Sequence, residues 1–356
     1  MSRSDYFKKD LFKNINLEDP FFNSLKEDYK EFEDWFEKKK DNEAFFYEDH
    51  QGIQAFLYLK CEDEALPDIM PPLQKKRRIK IGTLKINPHG TRAGDRFIKK
   101  AIDYAIQNNS NELYVTVFEK HAALISLLEK YGFYVYGNKT TANGTEKVLI
   151  KDLSIDNFDL EENARLTYPL ISTNRATHLL AIYPEFHSRL FPDSILNTEK
   201  TYDVIEDVSY SNSIEKVYIC RMKGAASIRP NDQIVIYRTK DGNKSAYFSA
   251  VATSICTVVD VKTRNDFANV EEAIQYCKSY SIFTEDEIRR EYNSSKPMIV
   301  IKMLYCHALP KRVIRKKLIE ECMIDSDQYW GIIKLSEHQF NKILELGEIN
   351  ESVVVD

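Results

Sequence analysis

A strand that runs through a glycine-containing loop into a helix constrains the fold of this chain more than any other feature. The three parts read RIKIGTLKINP, HGTRAGD and RFIKKAIDYAIQN. The first is rich in β-branched residues and stops at Pro88, which predicts a strand, and the last has apolar residues three and four apart, which predicts an amphipathic helix. The strand ELYVTVF and the helix AALISLLEKY follow. This order predicts a domain that combines a sheet with helices.

The loop between the first strand and helix is a candidate anion site. Backbone N–H groups at the start of a helix lack acceptors and lie at the positive end of the helix dipole. Gly90 and Gly94 leave room for a diphosphate to approach the backbone, and Arg92 adds positive charge. Residues 71–100 carry ten basic side chains against Asp95 alone. The alternative is an ordinary turn followed by a helix with a solvated basic face.

The residues on either side of this unit predict further helix and strand material. Residues 20–40 place apolar side chains three and four apart, which predicts a one-sided amphipathic helix. The segments EAFFYED and IQAFLYLKC predict a hairpin, and residues 133–153 predict a second hairpin that closes the domain.

In this order the elements resemble the GNAT acetyltransferase superfamily over roughly residues 15–154. The loop of that family reads Arg/Gln-x-x-Gly-x-Gly/Ala, and the same six positions here read HGTRAG, from His89 to Gly94. The final glycine agrees, whereas His89 stands at the Arg/Gln position and Arg92 at the middle glycine. The resemblance implies that backbone amides of the loop bind the pyrophosphate of acetyl-CoA, which makes acetyl-CoA the expected cofactor.

The resemblance also implies coenzyme contacts along the strand before the loop. That strand would pair with the pantetheine amides, and ELYVTVF would separate from it to admit the thioester. The residues expected to hold the coenzyme are Leu84, Lys85, Ile86, Gly90, Thr91, Arg92, Ala93, Gly94, Asp95 and Arg96.

Three residues are candidates for proton transfer. Acetyl transfer to an amine needs a base for the incoming ammonium and a donor for the departing thiolate. Glu119 and His121 follow ELYVTVF, where a base would stand, and each is also explained as a residue at a helix start. The family's frequent tyrosine acid falls on Leu128, so Tyr131 is the nearest substitute, with packing against the sheet as the alternative. Catalysis by substrate positioning alone also stays open.

The second half of the chain is dominated by strands. These are KVYICRM, DQIVIYRT, AYFSAVATSICTVVDV, PMIVIKM and GIIKLS, with candidate helices NVEEAIQYCKSY, EDEIRREYN, PKRVIRKKLIEEC and EHQFNKILEL. The pattern predicts a compact barrel or curved sheet with helical insertions. Together with the turn at residues 229–232, these segments resemble the PUA-like group of RNA-binding barrels, which includes the ASCH and EVE domains.

This second resemblance implies RNA as a partner. A basic rim with aromatic side chains would bind RNA through phosphate contacts and base stacking. The candidate RNA-binding residues are Arg221, Lys223, Arg238, Lys311, Arg312, Arg315 and Lys316. For the helix PKRVIRKKL the alternative is a packed helix with a solvated basic face.

The fold class expected from these patterns and resemblances is α+β. Residues 1–154 are expected to form a GNAT-like mixed sheet flanked by helices, and residues 198–356 a PUA-like β-barrel with helical insertions. Residues 155–197 are interpreted as a connecting segment, because an acidic stretch, IDNFDLEEN, is followed by three prolines.

Composition limits the location and chemistry of the protein. The chain lacks a run of about 20 apolar residues and its first residues lack the apolar core of a signal peptide, so we expect a cytoplasmic protein without membrane contact. The six cysteines form no C-x-x-C pair, which predicts reduced, mostly buried thiols and no metal site. The net charge of −5 favours no class of partner. Self-association stays open.

The leading hypothesis is an acetyl-CoA-dependent N-acetyltransferase that acts on an amine acceptor and is associated with RNA through its C-terminal domain. One alternative is a non-catalytic regulatory protein that binds coenzyme or RNA. The other is an acetyltransferase for small molecules or protein lysines, in which the C-terminal domain serves only in docking.

Overall fold

The computed structural model of the 356-residue chain describes residues 8–87, 90–154, 163–194, 196, 208–242 and 245–356. The described residues up to Ser154 form one compact unit, and those from Asn163 onward form a second. His89, the first position of the loop motif, and the acidic stretch IDNFDLEEN up to Glu162 lie outside the described residues.

The first unit is a mixed sheet with helices, as the sequence predicts. Its elements are β1 (Lys8–Leu11), α1 (Asn23–Asp28), α2 (Phe32–Lys38), β2 (Glu43–Asp49), β3 (Gly52–Leu66), β4 (Ile69–Met70), β5 (Leu73–Ile86), α3 (Ala93–Gln107), β6 (Glu112–Phe118), α4 (Ala122–Lys130), β7 (Tyr134–Thr141) and β8 (Gly144–Asp152). The described strands pair in the order β1-β2-β3-β5-β6-β8-β7-β4. Within this sheet β5 and β6 are parallel, and the other neighbours are antiparallel.

Two irregularities of β5 create a gap in the middle of this sheet. Tyr58 of β3 pairs with Thr83 and the next residue pairs with Ile81, so Gly82 is an extra residue that forms a β-bulge. A Cβ at Gly82 would lie 2.7 Å from Cδ1 of Tyr58, so a side chain there would collide with the tyrosine ring. The pairing of β5 with β6 ends at Ile81 and Val115, although both strands continue. The two strands therefore separate at the bulge.

The N-terminal helical segment is broken into short pieces. The predicted single helix over residues 20–40 is instead a 3₁₀ turn at Pro20–Phe22, then α1 and α2. Between the two helices Tyr29 is extended, with φ −129° and ψ 104°, and its hydroxyl donates a hydrogen bond to Glu146 of β8. The helix is thus interrupted at the residue whose side chain contacts a distant strand. The apolar face that the spacing predicts is retained, since the buried aromatic rings pack around Phe12.

The second unit is built around a sheet of six described strands. Its elements are α5 (Ala164–Thr167), β9 (Ile171–Ser172), β10 (Thr177–Ile182), α6 (Pro184–Leu190), α7 (Ser209–Asn212), β11 (Glu215–Cys220), β12 (Gln233–Arg238), α8 (Ala246–Ser249), β13 (Val251–Thr263), α9 (Val270–Cys277), α10 (Glu285–Asn293), β14 (Ile299–Ile314), α11 (Arg315–Glu320), β15 (Ile332–Leu335), α12 (Glu337–Leu346) and β16 (Val354–Val355). The strand order is β11-β14-β13-β12-β10-β15, and β16 pairs separately with β9. The α+β class with helical insertions is thus confirmed.

Two details of the second unit differ from the sequence interpretation. Residues 163–194 are part of the unit rather than a connecting segment, because β10 lies between β12 and β15 in the sheet. Its apolar run, THLLAI, is that of a strand buried on both faces. The segment PKRVIRKKLIEEC is not one helix either: β14 continues through Ile314, because Val313 is buried and pairs with Ala252 of β13.

The described residues add three observations to the expectations from composition. None of their helices is both long and apolar enough to cross a membrane. Within the same residues no group of three or more His, Cys, Asp or Glu side chains is arranged to hold a metal ion. All six cysteines are free thiols, five of them buried and Cys61 partly buried.

Candidate functional site

A cavity of about 940 Å³ opens in the first unit where β5 and β6 separate. One wall is the end of β5, residues 80–87, and the opposite wall is residues 115–117 of β6. The loop and first turn of α3, residues 90–94, form one part of the lining, called the loop end, and side chains of α1, α2, β7 and β8 form another. The gap in the sheet is therefore the centre of a pocket with two chemically different ends.

The loop end has the features of an anion site. Gly90 has φ +80°, a left-handed conformation that glycine adopts without strain, and Arg92, the residue directly before α3, is also left-handed with φ 57°. These two left-handed residues direct the chain into α3. The N–H groups of Ala93 and Gly94 belong to the first turn of α3, where the helix itself provides no acceptor for them. All these residues line the cavity, together with Thr91.

Gly94 is required by close packing rather than by its backbone angles. A Cβ at this position would lie 2.5 Å from Cδ2 of Leu127 on α4 and 3.7 Å from Cδ1 of Ile86. Gly94, Leu127 and Ile86 all line the cavity. A side chain at Gly94 would therefore collide with Leu127 and disturb the packing of α3 against α4 beside the loop.

The facing edges of β5 and β6 form the central part of the cavity. Beyond Ile81 and Val115, these edges have no strand partner among the described residues. Such open edges pair readily with an extended chain that carries amide groups. Leu84, Lys85 and Ile86 lie on this wall as predicted from the family resemblance.

The side chain of Lys85 is used to hold the N-terminal segment. Its ammonium donates to Oγ of Ser24 at 2.7 Å and to the carbonyl oxygen of Phe21, and burial lowers its pKa. Lys85 therefore offers its backbone to the cavity, while its side chain fixes the position of α1.

A histidine and a carboxylate meet in the cavity beyond the end of β6. Nε2 of His121 lies 3.1 Å from Oδ2 of Asp28, and the ammonium of Lys120 donates to the other oxygen of Asp28. The side chain of Asp28 is 10% exposed and that of His121 is 46% exposed. A half-exposed imidazole oriented by a buried carboxylate is the arrangement of a general base.

Asp28 could not be found from the sequence. It is the last residue of α1, within an acidic stretch that reads as a solvated helix face, and it is separated from His121 by 93 positions. The signal that was available is the position of His121 directly after β6.

A second group of polar residues lies at the same end of the cavity. The hydroxyl of Tyr29 donates to Oε1 of Glu146 at 2.6 Å, and Glu146 is only 4% exposed. Burial and this carboxylate raise the pKa of the Tyr29 hydroxyl, so the tyrosine remains a proton donor to Glu146. Glu31 accepts two hydrogen bonds from the side-chain amide of Asn143, at 2.8 and 2.9 Å. This end therefore concentrates carboxylates around an aromatic hydroxyl.

Four predicted site residues lie outside the cavity lining. Glu119 is exposed and forms an ion pair of 2.7 Å with Lys147, which lowers the pKa of its carboxyl. Tyr131 is buried and donates to Oδ2 of Asp95 at 2.9 Å. Arg96 is buried as well. Because Tyr131 follows α4 and turns back toward α3, its hydroxyl joins the two helices, which is a structural role for both Tyr131 and Asp95.

In the second unit, three of the predicted RNA-binding arginines contact the protein itself. Arg238 is 2% exposed and donates to Oδ1 of Asp241 at 2.9 Å. Arg312 donates to the carbonyl oxygens of Leu309, Thr253 and Asp193, the last at 3.1 Å. Arg315 stacks on Trp330, 4.2 Å from the ring centre, and donates to the carbonyl of Ser326 at 3.3 Å.

The other four basic candidates are more exposed. Arg221 forms a double hydrogen bond with Glu291 at 2.6 and 2.9 Å. Lys311 pairs with Glu348 at 3.0 Å and Lys316 with Glu320 at 3.8 Å, whereas Lys223 is exposed at the start of a 3₁₀ turn.

Replacing Arg312 with alanine should destabilise the second unit rather than alter a surface. The guanidinium satisfies three carbonyl oxygens, and losing charged hydrogen bonds of this kind costs about 1–3 kcal/mol. Chemical denaturation measures the change in the free energy of unfolding. The adjacent Lys311→Ala is the matched control and should stay within about 0.5 kcal/mol, because its ion pair is exposed. Equal stability of the two variants would contradict this role of Arg312.

Comparisons with known proteins give matches among solved structures only. No protein-family model and no curated protein matches the chain. An ASCH protein from Zymomonas mobilis is 10% identical, with a TM-score of 0.33, and the match covers 48% of this chain and 94% of that chain. A GNAT-family acetyltransferase from Streptococcus agalactiae 2603 is 15% identical, with a TM-score of 0.29, over 37% of this chain and 78% of the other.

An N-acetyltransferase from Staphylococcus aureus Mu50 also matches, with 14% identity and a TM-score of 0.30, over 41% of this chain and 97% of the other. Both groups that the sequence resembles, the GNAT acetyltransferases and the ASCH proteins, are thus among the solved structures to which this chain is similar.

Proposed function

We propose that the first unit binds acetyl-CoA in the cavity between β5 and β6 and transfers the acetyl group to an amine. The observation that carries this proposal is the separation of the two strands at the Gly82 bulge, directly followed by the glycine loop and the start of α3. One cavity of about 940 Å³ thereby joins open strand edges to an anion site.

The residues present fit the coenzyme along its length. The N–H groups of Ala93 and Gly94, with Arg92 beside them, would hold the pyrophosphate, and the space beside Gly90 is open, since a Cβ there would meet no atom within 4 Å. The edge of β5 from Gly82 to Ile86 would pair with the pantetheine amides. When bound there, acetyl-CoA supplies an activated thioester.

His121 is the residue that accepts the proton from the acceptor amine in this proposal. Its Nε2 is bonded to Asp28, so Nδ1 is the nitrogen left to take a proton, and the Asp28 carboxylate stabilises the imidazolium that results. Transfer would form a bond from the amine nitrogen to the acetyl carbon and break the carbon–sulfur bond, and the departing thiolate would take up the second proton that the nitrogen loses. Asp28 acts as a positioning residue for His121.

Calorimetric titration with acetyl-CoA tests the coenzyme assignment. We expect micromolar binding of acetyl-CoA and CoA, and at least about tenfold weaker binding of adenosine 3′-phosphate 5′-diphosphate, because that nucleotide keeps the pyrophosphate and lacks the arm that pairs with β5. Binding of the nucleotide as tight as that of CoA would contradict a role for the strand edges. Absence of acetyl-CoA binding would overturn the proposed function.

Release of free thiol from acetyl-CoA in the presence of amines separates an enzyme from a non-catalytic coenzyme binder. An acceptor carried on RNA has less support than a small amine, because three of the seven basic candidates in the second unit hold backbone carbonyls, a carboxylate or a tryptophan ring. Binding to RNA that falls steeply with salt, and weakens when Lys223, Lys311 and Lys316 are replaced together with alanine, would restore the RNA association.

A further inference from the structure

Lys80 lines the cavity, but neither coenzyme binding nor proton transfer gives it a role. It lies on β5 opposite Tyr114, in the last pairs before the two strands separate, and it lines the cavity. Burial lowers the pKa of its ammonium. Among the described residues it has no direct hydrogen-bond acceptor or ion-pair contact, the carboxylate that acts on it most strongly is Glu62, and its Nζ lies 5.7 Å from the centre of the Tyr114 ring.

The other lysines that line the cavity are already engaged. Lys85 donates to Ser24, Lys120 donates to Asp28, and Lys139 pairs with Asp68 at 2.6 Å. Glu62 and Glu146 act on the Lys80 ammonium electrostatically, but neither contacts it directly, and burial is the larger effect, so the pKa of Lys80 is still lowered. Lys80 is therefore the position in the cavity that an anionic group of a ligand would neutralise.

Groups suited to a cation lie at the same end of the cavity. Asp28, next to His121, and Glu146, bonded to Tyr29, are both largely removed from water. Glu146 also lies within electrostatic range of Lys80. This part of the cavity thus presents carboxylates and one ammonium without a direct hydrogen-bond partner, which is complementary to a ligand with both an ammonium and a carboxylate.

We infer that the amine acceptor carries a carboxylate that Lys80 binds, which makes free amino acids the acceptor class. This inference rests on the proposed function. In it, the Lys80 ammonium donates to the carboxylate of the acceptor, while the amino group faces His121 and the acetyl group. A doubly charged phosphate suits the site less well, because the carboxylates of Asp28, Glu31 and Glu146 line the same cavity as Lys80.

Paired acceptors with and without a carboxylate test this assignment. Thiol release is measured for the twenty L-amino acids and for the corresponding carboxamides, which keep the amine and lose the negative charge. Wild-type protein should prefer its best amino acid over the matching amide by at least about tenfold in kcat/KM, the size of one charge-assisted contact. In Lys80→Met the preference should disappear through a higher KM for the acid, with the amide unchanged.

The control variant is Lys75→Met, which makes the same chemical change at an exposed position of β5 and should keep the preference. Calorimetry on CoA-loaded protein gives a second readout, since Lys80→Met should weaken amino-acid binding while the CoA affinity stays the same. An equal loss of kcat for acid and amide in Lys80→Met would overturn the assignment, because it would mean that Lys80 acts on the reaction rather than on the carboxylate.

The inference and the proposed function fail in different ways. If acetyl-CoA binds but the loaded protein neither binds nor acetylates any of the amino acids, the acceptor class is wrong and the coenzyme site stands. If acetyl-CoA itself does not bind, the proposed function is wrong and the acceptor class with it.

Discussion

Gly94→Val should weaken the binding of acetyl-CoA and CoA at least about 100-fold, which corresponds to about 2.7 kcal/mol. The Cβ of valine would lie 2.5 Å from Cδ2 of Leu127 and 3.7 Å from Cδ1 of Ile86. Gly94, Leu127 and Ile86 all line the cavity. The displaced leucine and the new side chain would block the approach of a pyrophosphate to the first turn of α3. Calorimetric titration of the purified variant measures the loss.

A second substitution distinguishes steric blocking from unfolding. Gly94→Val combined with Leu127→Ala removes the collision partner, so we expect the double variant to recover part of the lost affinity. Leu127→Ala alone should bind CoA with little change, because the backbone groups of the loop remain in place. A Gly94→Val protein that stays folded, as judged by circular dichroism, and binds CoA normally would exclude this loop as the coenzyme site.

His121→Gln should lower kcat/KM for the best amine acceptor by about 10²–10⁴-fold, the usual contribution of a positioned general base. The affinity for acetyl-CoA should not change, because the imidazole is bonded to Asp28 and is not among the groups that we assign to the coenzyme. Asp28→Asn should cause a smaller loss, since the amide still occupies the position but no longer stabilises the imidazolium. Steady-state kinetics together with calorimetry separate these effects.

Two other sequence candidates serve as controls for His121. Glu119→Gln should leave kcat/KM unchanged, because the carboxylate is exposed and paired with Lys147 outside the cavity lining. Tyr131→Phe should reduce stability by about 1–2 kcal/mol through loss of the hydrogen bond to Asp95, with little effect on the rate per folded molecule. A large loss of activity in Glu119→Gln, with His121→Gln fully active, would transfer the role of base to Glu119.

The periodicity of the sequence was sufficient to predict most elements that surround the cavity. The order of strand, loop, helix, strand and helix from residue 78 to residue 132 corresponds to β5, α3, β6 and α4, because these segments have strong local signals and short connections. The helix predicted over residues 20–40 was wrong in its continuity, since the long-range contact of Tyr29 with Glu146 interrupts it. Spacing along the chain contains no information about a partner 117 positions away.

Similar reasons explain the errors in the second unit. The strand THLLAI was assigned to a connecting segment because nearby prolines suggested a loop, but its burial between two other strands is a property of the sheet. Arg238 and Arg312 resemble surface cations in the sequence, and only the folded chain shows that they hold Asp241 and three carbonyl oxygens. Charge along a sequence does not indicate whether the side chain meets solvent or backbone.

The sequence by itself determined the α+β class and the loop with Gly90 and Gly94, because turn residues, periodicity and glycine act over a few neighbouring positions. The tertiary structure alone decided that β5 and β6 separate at the Gly82 bulge, and that Asp28 and Lys80 line the same cavity as His121. Pairing register and the meeting of distant side chains depend on the packing of the whole unit, which no local pattern encodes.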